Sequence, residues 1–185
     1  MIGNLLQISK ETLSLLGFNF YGPDNGFYCG YVLDYNDEFI IIKHFSKFGA
    51  NDGFLVHKLS DIQYVESETI YLKGMQLLIQ NQNSLAKETF SVKDVDSLSQ
   101  NFISLFESLI GNREQLIKFE LNNDDIYFGF LEWCDETYFS VINIDIDGLV
   151  IGKAIFKFED LKLYWVDDLE CRKRKLLFKS KNASR

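Results

Sequence analysis

The sequence predicts a mainly β protein with two short helices, arranged as two tandem units. Of its 185 residues, 46% are hydrophobic, and they include 17 Phe, 9 Tyr and 2 Trp beside a single Pro. This apolar content can offset the chain entropy that keeps a polar composition disordered. Short runs of β-branched and aromatic residues alternate with turn residues, which favours strands. The same order of runs returns 99 residues later, which indicates two units.

A gapless shift of 99 residues aligns residues 18–80 with residues 117–179. Matched glycines carry most of the argument, because glycine marks turns and close approaches of the backbone. The aligned pairs include Phe20 with Phe119, Gly30 with Gly129, Gly49 with Gly148, Gly53 with Gly152, and Val56 with Ile155. The pattern indicates an internal repeat. The alternative is that two β-rich stretches with regular turns resemble each other by chance.

The first unit begins with a helix predicted at about residues 9–16, with Ser9 as its N-cap and Gly17 as its stop. Strands are then predicted at residues 27–33, 39–44, 54–59 and 63–66. Residues 34–38 and 51–53 are typical of turns. Residues 60–62 predict a single helical turn, in which the side chain of Asp61 caps exposed N–H groups.

The second unit repeats this order after a helix predicted at residues 97–110. Ser97 and Gln100 have capping-box spacing, and Gly111 lies just past the end. Strands are predicted at residues 126–133, 138–144, 149–158 and 162–166. The resulting domains are residues 1–80, a linker at 81–96 that in part continues a strand, and residues 97–185 with a basic C-terminal end.

The order of a helix, four strands, a helical turn and a closing strand resembles the SH3-type small barrel and, with its leading helix, the Sm-like fold. Both units keep the glycine and apolar positions of the first Sm motif. These are Gly30, Val32 and Phe39 in the first unit, and Gly129, Leu131 and Tyr138 in the second. The resemblance implies two tandem Sm-like, SH3-type small barrels. It also implies assembly, because Sm-like units join through their edge strands.

The residues with which Sm-like proteins contact RNA are not kept. Ile40 and Phe139 occupy the place of the Asn that recognises a base. The second motif, of the Arg-Gly-Asn type, is replaced by residues 57–60 and residues 156–159. The resemblance therefore implies the fold more strongly than RNA binding, since a fold alone does not carry a function.

The sequence lacks the motifs of catalysis and of cofactor binding. It contains no glycine-rich phosphate loop, and its only two histidines, His44 and His57, have no cysteine at ligand spacing. Residues 143–148 are similar to the start of an EF-hand loop, but Ala154 stands where that loop needs a bidentate Glu. We therefore expect no metal, no cofactor and no enzymatic activity. A small hydrolase would depend on the two histidines alone.

Cysteine usage predicts a reducing compartment. Cys29, Cys134 and Cys171 are an odd number, lie far apart and form no C-x-x-C motif, so we expect buried or half-buried thiols. The first 18 residues lack the regions of a signal peptide, and no stretch approaches 18 uninterrupted apolar residues. A cytoplasmic protein that makes no contact with a membrane is therefore expected.

Charge is distributed unevenly along the chain. The net charge is −8, but residues 172–185 contain seven basic and no acidic residues, which leaves −15 on residues 1–171. A basic end can contact phosphates or an acidic surface. The alternative is a final strand followed by a frayed, solubilising tail. The candidate contact residues for a nucleic acid or a partner are Arg172, Lys173, Arg174, Lys175, His57 and Lys58.

The predicted function is a non-enzymatic binding or assembly module that takes a protein partner or a further copy of the chain. The missing catalytic groups and the many Tyr and Phe residues, which are common at interfaces, favour this prediction. The first alternative is an Sm-like RNA-binding protein, in which the basic end and exposed aromatic rings hold a single strand. A small hydrolase is the weaker alternative.

Overall fold

The computed structural model describes residues 2–21, 26–87 and 102–183. The chain divides into two compact units, Met1–Gln82 and Asn83–Arg185. The described residues of each unit include a five-stranded antiparallel sheet and helices beside it. The mainly β fold class predicted from the sequence is thereby confirmed.

In the first unit a helix precedes the five strands and another follows them. The elements are α1 (Ile2–Thr12), β1 (Leu16–Phe20), β2 (Phe27–Tyr35), β3 (Phe39–Phe45), β4 (Asn51–Lys58), a 3₁₀ turn (Leu59–Asp61), β5 (Ile62–Ser67) and α2 (Ile70–Gln80). The second unit has the same order after a short helix at the boundary. Its elements are α3 (Gln82–Ala86), α4 (Phe102–Leu109), β6 (Ile117–Leu121), β7 (Ile126–Cys134), β8 (Tyr138–Ile144), β9 (Val150–Lys157), a 3₁₀ turn (Phe158–Asp160), β10 (Leu161–Val166) and α5 (Leu169–Ala183).

The two sheets have the same strand order, β4-β3-β2-β1-β5 in the first unit and β9-β8-β7-β6-β10 in the second. Neither sheet closes on itself within the described strands. A closed barrel would need β4 to pair with β5, and β9 with β10, but each of these strands lies at an edge. The closed small barrels expected from the sequence are therefore not seen, and the two sheets are open.

Each unit buries an apolar face of its central strands against the helix that precedes them. In the first unit, Leu6 of α1 packs with Phe18, Val32 and Ile42, all of which are fully buried or nearly so. In the second unit, Phe106 of α4 packs with Phe119 and other aromatic rings. Its ring centroid lies 5.1 Å from Phe139, 5.6 Å from Phe158 and 4.7 Å from Tyr164.

Gly30 and Gly129 lie at matching positions in the two sheets. Gly30 pairs with His44 across β2 and β3, and Gly129 pairs with Asn143 across β7 and β8. A Cβ at either glycine would come within 2.3 Å of a backbone carbonyl oxygen on the neighbouring strand. Only glycine fits there without displacing the ladder, which is the close approach that the sequence pattern indicates.

The gapless alignment is wrong for the first strand of each unit. Leu16 pairs with Gly30, whereas Ile117 pairs with Gly129, so β1 matches β6 at a shift of 101 residues. Phe119 therefore corresponds to Phe18, and not to Phe20. The cause is the number of residues between the strands, which is six between β1 and β2 and four between β6 and β7. The matched glycines all lie after this point in each unit, so they cannot reveal the different shift of β1 and β6.

Helix α1 lies earlier than the sequence predicts and ends at Thr12, just before Leu13 takes a φ of 55°. Ser9 is therefore inside the helix and is not its N-cap. Its fully buried hydroxyl donates to the backbone oxygen of Ser14 at 2.6 Å and accepts from the backbone N–H of Val32 at 3.0 Å. The polar residue that resembles a cap instead joins α1 to β2.

The turn predicted at residues 51–53 lies elsewhere. Those residues begin β4, and the chain reverses at residues 46–50, where the backbone N–H of Ser46 donates to the oxygen of Ala50 at 2.9 Å. Helical turns follow β4 and β9, close to the predicted residues. Lys58 and Lys157 precede the two turns and make no side-chain cap, and the capping expected of Asp61 is not among the described hydrogen bonds. The Asp61 carboxylate accepts from the hydroxyl of Ser60 instead.

A helix follows the last strand of each sheet. The sequence predicts no element at residues 70–80, and a final strand is one of the two alternatives that it offers for the basic C-terminal end. Both helices start after a residue with positive φ, Glu68 at 58° and Asp167 at 60°. Thr69 caps α2 and Asp168 caps α5, since their side chains accept from the backbone N–H three residues later. Of the helix predicted at residues 97–110, the structure shows Phe102–Leu109, and the expected cap at Ser97 lies outside the described residues.

Candidate functional site

The basic C-terminal segment forms helix α5, and it is neither a strand nor a frayed tail over its described length. The guanidinium of Arg174 lies 3.7 Å from the ring centroid of Phe128 and donates to the backbone oxygen of Ile144 at 3.1 Å. Burial lowers the pKa of Arg174 from its ordinary value. Lys181 donates to the backbone oxygen of Asp147 at 2.5 Å. These cations hold the helix to its own sheet.

Lys173 and Lys175, two of the predicted contact residues, are buried. The Lys175 ammonium donates to the backbone oxygen of Glu114 at 2.8 Å and lies 3.7 Å from the buried carboxylate of Asp167. Burial lowers the pKa of Lys175, and Asp167 opposes that shift. A lysine that is desolvated and already bound in this way is a poor contact for a nucleic-acid backbone.

A cleft of about 270 Å³ opens along one face of α5 in the second unit. The charged and hydroxyl side chains that line it are Ser84, Lys87, Glu114, Arg172, Lys175 and Lys179. The structure thus brings together Arg172 and Lys175 from the predicted set and adds Lys87 and Lys179. Arg172, Lys175 and Lys179 are spaced three and four residues apart in the sequence. This spacing indicates a shared face only once the segment is known to be a helix.

His57 and Lys58, the other predicted contact residues, lie at the end of β4 in the first unit. The ring of His57 stacks on Phe20 with centroids 4.0 Å apart, and its Nδ1 lies 3.6 Å from the carboxylate of Asp61. Lys58 is exposed. The predicted set therefore divides into two groups, one in each unit.

The two histidines do not form a catalytic arrangement in the described residues. His44 Nδ1 lies 3.3 Å from Asp52, and its ring packs against Tyr28. Neither imidazole has a described contact with a serine hydroxyl or a thiol that it could activate. Among the residues that the structure describes, no three His, Cys, Asp or Glu side chains converge to hold a metal ion.

The cysteines are reduced, with Cys29 and Cys171 buried and Cys134 half-buried, as predicted. Burial raises the pKa of the Cys29 thiol to about 12. Burial also raises the pKa of Cys171, with a further contribution from Asp168. Both thiols are therefore neutral at physiological pH and are weak nucleophiles.

The edge strands β4 and β9 carry exposed apolar side chains, two of which belong to the hydrophobic pattern that the two units share. Val56 on β4 and Ile155 on β9 are 61% and 62% exposed, although their alignment belongs to the shared hydrophobic pattern. Phe54 and Ile151 on the same strands are also exposed, at 68% and 67%. Periodicity marks one face of a strand, but it does not show which strand lies at an edge.

The lysines of β9 are paired within their own unit. Lys153 forms an ion pair with Glu132, and Lys157 forms one with Glu159 at 2.7 Å. Hydrogen bonding to Lys153 lowers the pKa of Glu132, and Lys157 lowers that of Glu159, so both carboxylates are charged at neutral pH. The edge therefore presents apolar side chains between neutralised charges.

The fold and these surfaces define a mainly β protein with two five-stranded antiparallel sheets, an exposed apolar edge on each, and a cationic cleft in the second unit. No protein-family model, curated protein or solved structure compared with the chain matches it. In the described part of the chain, no helix has both the length and the apolar composition needed to cross a bilayer.

Proposed function

We propose that this protein is a non-enzymatic assembly module that joins further copies of its own chain by strand pairing at the exposed edges of its sheets. The observation that carries the proposal is β9. Within the described residues it pairs with β8 on one side only and exposes Val150, Ile151 and Ile155.

Backbone chemistry supports strand pairing. An edge strand has N–H and C=O groups that are directed away from its sheet, and a strand from another chain can bind to them. Proteins that avoid such pairing place charged side chains, lysine above all, or prolines on the edge. Strand β9 has no proline, and its two lysines are bound to Glu132 and Glu159. Its edge is thus poorly protected against pairing.

The similarity of the two units supports a module with more than one contact edge. Strand order agrees between the sheets, and Gly30 and Gly129 have the same cross-strand register. We include in the proposal that one Sm-like unit was copied to give both. Two edges in one chain raise the strength of assembly through multivalency. The reduced, buried thiols fit a reducing compartment, so we place this activity in the cytoplasm.

RNA binding is the less supported alternative. Arg174, Lys175 and Lys181 are bound to backbone carbonyl groups of their own unit, and Lys173 is buried. Little of the predicted basic surface is left to neutralise phosphates, and phosphate contacts dominate non-specific affinity.

Sedimentation velocity of the full chain over a wide concentration range tests the proposal. We expect the wild-type protein to self-associate, and Ile151→Lys to weaken association by at least about tenfold, since a charge would be buried at the contact. Ile126→Lys is the matched control. Ile126 is 50% exposed but lies on the inner strand β7, so this variant should associate as the wild type does.

Two results would contradict the proposal. One is a wild-type chain that stays monomeric at every concentration, and the other is equal weakening by the two substitutions. A saturable reaction rate in a broad activity screen would separately contradict the non-enzymatic part.

A further inference from the structure

The cleft along α5 concentrates positive charge in the second unit. Lys87 lies just beyond α3, while Arg172, Lys175 and Lys179 lie on one face of α5. Glu114 is the one acidic residue in the described lining, so the lining carries four cations against one carboxylate. Like charges gathered around a concave surface attract an anion, because the walls exclude water and reduce screening.

Arg172 keeps hydrogen-bonding capacity at this cleft. One terminal nitrogen of its guanidinium donates to the backbone oxygen of Ala86 at 3.3 Å. Its Nε is buried and has no hydrogen-bond partner in the described part of the chain. Buried donors are almost always paired in folded proteins, so this guanidinium can still take an acceptor.

The remaining cations differ in how much of their charge is free. Lys87 is exposed, and Ser84 beside it adds a hydroxyl donor. Lys179 is paired with the exposed Glu114, whose pKa the lysine lowers. An arriving anion can share Lys179 with Glu114, or displace this exposed pair at little cost. Lys175 contributes charge from the middle of α5 while it stays bound to Asp167 and to the Glu114 backbone.

We propose that this cleft is a binding site for a phosphoryl group of a small molecule, with Arg172 and Lys87 as its principal ligands. A planar guanidinium binds two phosphate oxygens at once, and an ammonium adds a charged donor at a third. The volume of about 270 Å³ suits a small phosphorylated compound and is too small for a folded partner. The site is independent of the edge strands and of the assembly proposed for them.

Isothermal titration calorimetry of the full chain with inorganic pyrophosphate, at low ionic strength, tests the site. We expect one saturable site per chain. Arg172→Gln and Lys87→Gln should each weaken binding by at least about tenfold, since each removes a charged donor. Lys157→Gln is the control, because it removes the same charge from β9 in the same unit. It should bind as the wild type does. ADP in place of pyrophosphate should bind with the same dependence on Arg172.

Three outcomes would overturn the proposal. The first is no saturable binding of pyrophosphate or ADP. The second is equal weakening by Lys157→Gln, which would mean that general positive charge holds the anion. The third is binding of a labelled single-stranded RNA that Arg172→Gln weakens, together with no binding of pyrophosphate. This result would assign the cleft to nucleic acid. Wild-type circular dichroism spectra for each variant exclude misfolding as the cause of lost binding.

Discussion

Helices α2 and α5 occupy corresponding positions after the two sheets, yet their compositions are opposite. Helix α2 contains one charged residue, whereas α5 contains seven. Both nevertheless start after a residue with positive φ, both are capped by a side chain, and both meet a turn glycine, Gly49 or Gly148. The position of each helix is therefore fixed by its backbone contacts. The other faces of the helix are then free to vary, and in the second unit they line a cationic cleft.

Substitution of the turn glycines should have the largest effect on stability. A Cβ at Gly49 would lie 2.8 Å from the backbone nitrogen of Ile79, and one at Gly148 would lie 2.5 Å from that of Phe178. We expect Gly49→Ala and Gly148→Ala each to reduce the free energy of unfolding by about 3 kcal/mol, from a positive φ together with a clash against a helix backbone. Urea unfolding followed by far-ultraviolet circular dichroism measures this.

Gly53→Ala is the matched control for the glycine experiment. Gly53 has a φ of 83°, but a Cβ at this residue would meet no atom within 4 Å, so only the strain of the backbone remains. We expect a loss of about 1 kcal/mol. Equal losses at all three glycines would show that the turn glycines do not fix the helices.

Sequence analysis can predict the strands well because their signal is local. The strand predicted at residues 138–144 forms β8 with the same ends, and the other predicted strands agree within a few residues, but β1 and β6 are not among the predicted strands. The glycines of the cross-strand approach, Gly30 and Gly129, are recognisable for the same reason. The alternation of apolar residues and the turn residues that bound each strand both depend only on residues close in the sequence.

Helix α5 and the position of β4 and β9 at the sheet edges could not be predicted from the sequence, because both depend on tertiary contacts. Residues 172–175 are four consecutive cations, which show no apolar stripe, and the helix is stabilised by contacts such as that between Arg174 and Phe128. Val56 and Ile155 form an aligned apolar pair in the sequence. Their exposure follows from the position of β4 and β9 in the sheets, which requires knowledge of all the strand pairs.

The residues that precede α2 and α5 offer a second, smaller contrast. Asp167 and Glu68 have nearly the same φ, but Asp167 is buried beside Lys175 whereas Glu68 is exposed. We expect Asp167→Asn to lower the free energy of unfolding by about 2 kcal/mol, because Lys175 loses a buried counter-charge. Glu68→Asn should raise it by about 0.5 kcal/mol, since Asn tolerates the left-handed region.

Tryptophan fluorescence is the suitable measurement for Asp167→Asn. Both tryptophans of the chain, Trp133 and Trp165, lie in the second unit, so their emission follows the unfolding of that unit. Far-ultraviolet circular dichroism follows the unfolding of Glu68→Asn, since Glu68 lies in the first unit. Equal effects of the two Asn substitutions on the free energy of unfolding would contradict the difference between the two helix starts.

The last predicted effect concerns alkaline pH and the buried thiol of Cys29. Its pKa is raised from 9.0 to about 12 by burial, so the unfolded chain loses the thiol proton first as the pH rises. The stabilising contribution is present below pH 9 and is lost as the pH rises toward 12, at about 1.4 kcal/mol per pH unit. Urea unfolding at pH 8 and pH 10 should show a smaller decline for Cys29→Ala than for the wild type. Equal declines would mean that the thiol is accessible to water.

Amide hydrogen exchange along β9, followed residue by residue by NMR in a dilute sample, tests the central claim of open sheet edges most directly. We expect every second amide of β9 to be protected through its pairing with β8, and the amides between them to exchange rapidly. Protection of these outward amides should appear only when the concentration is raised and copies associate. Uniform protection along β9 at the lowest concentration would contradict the account, because it would mean that another strand of the same chain already covers this edge.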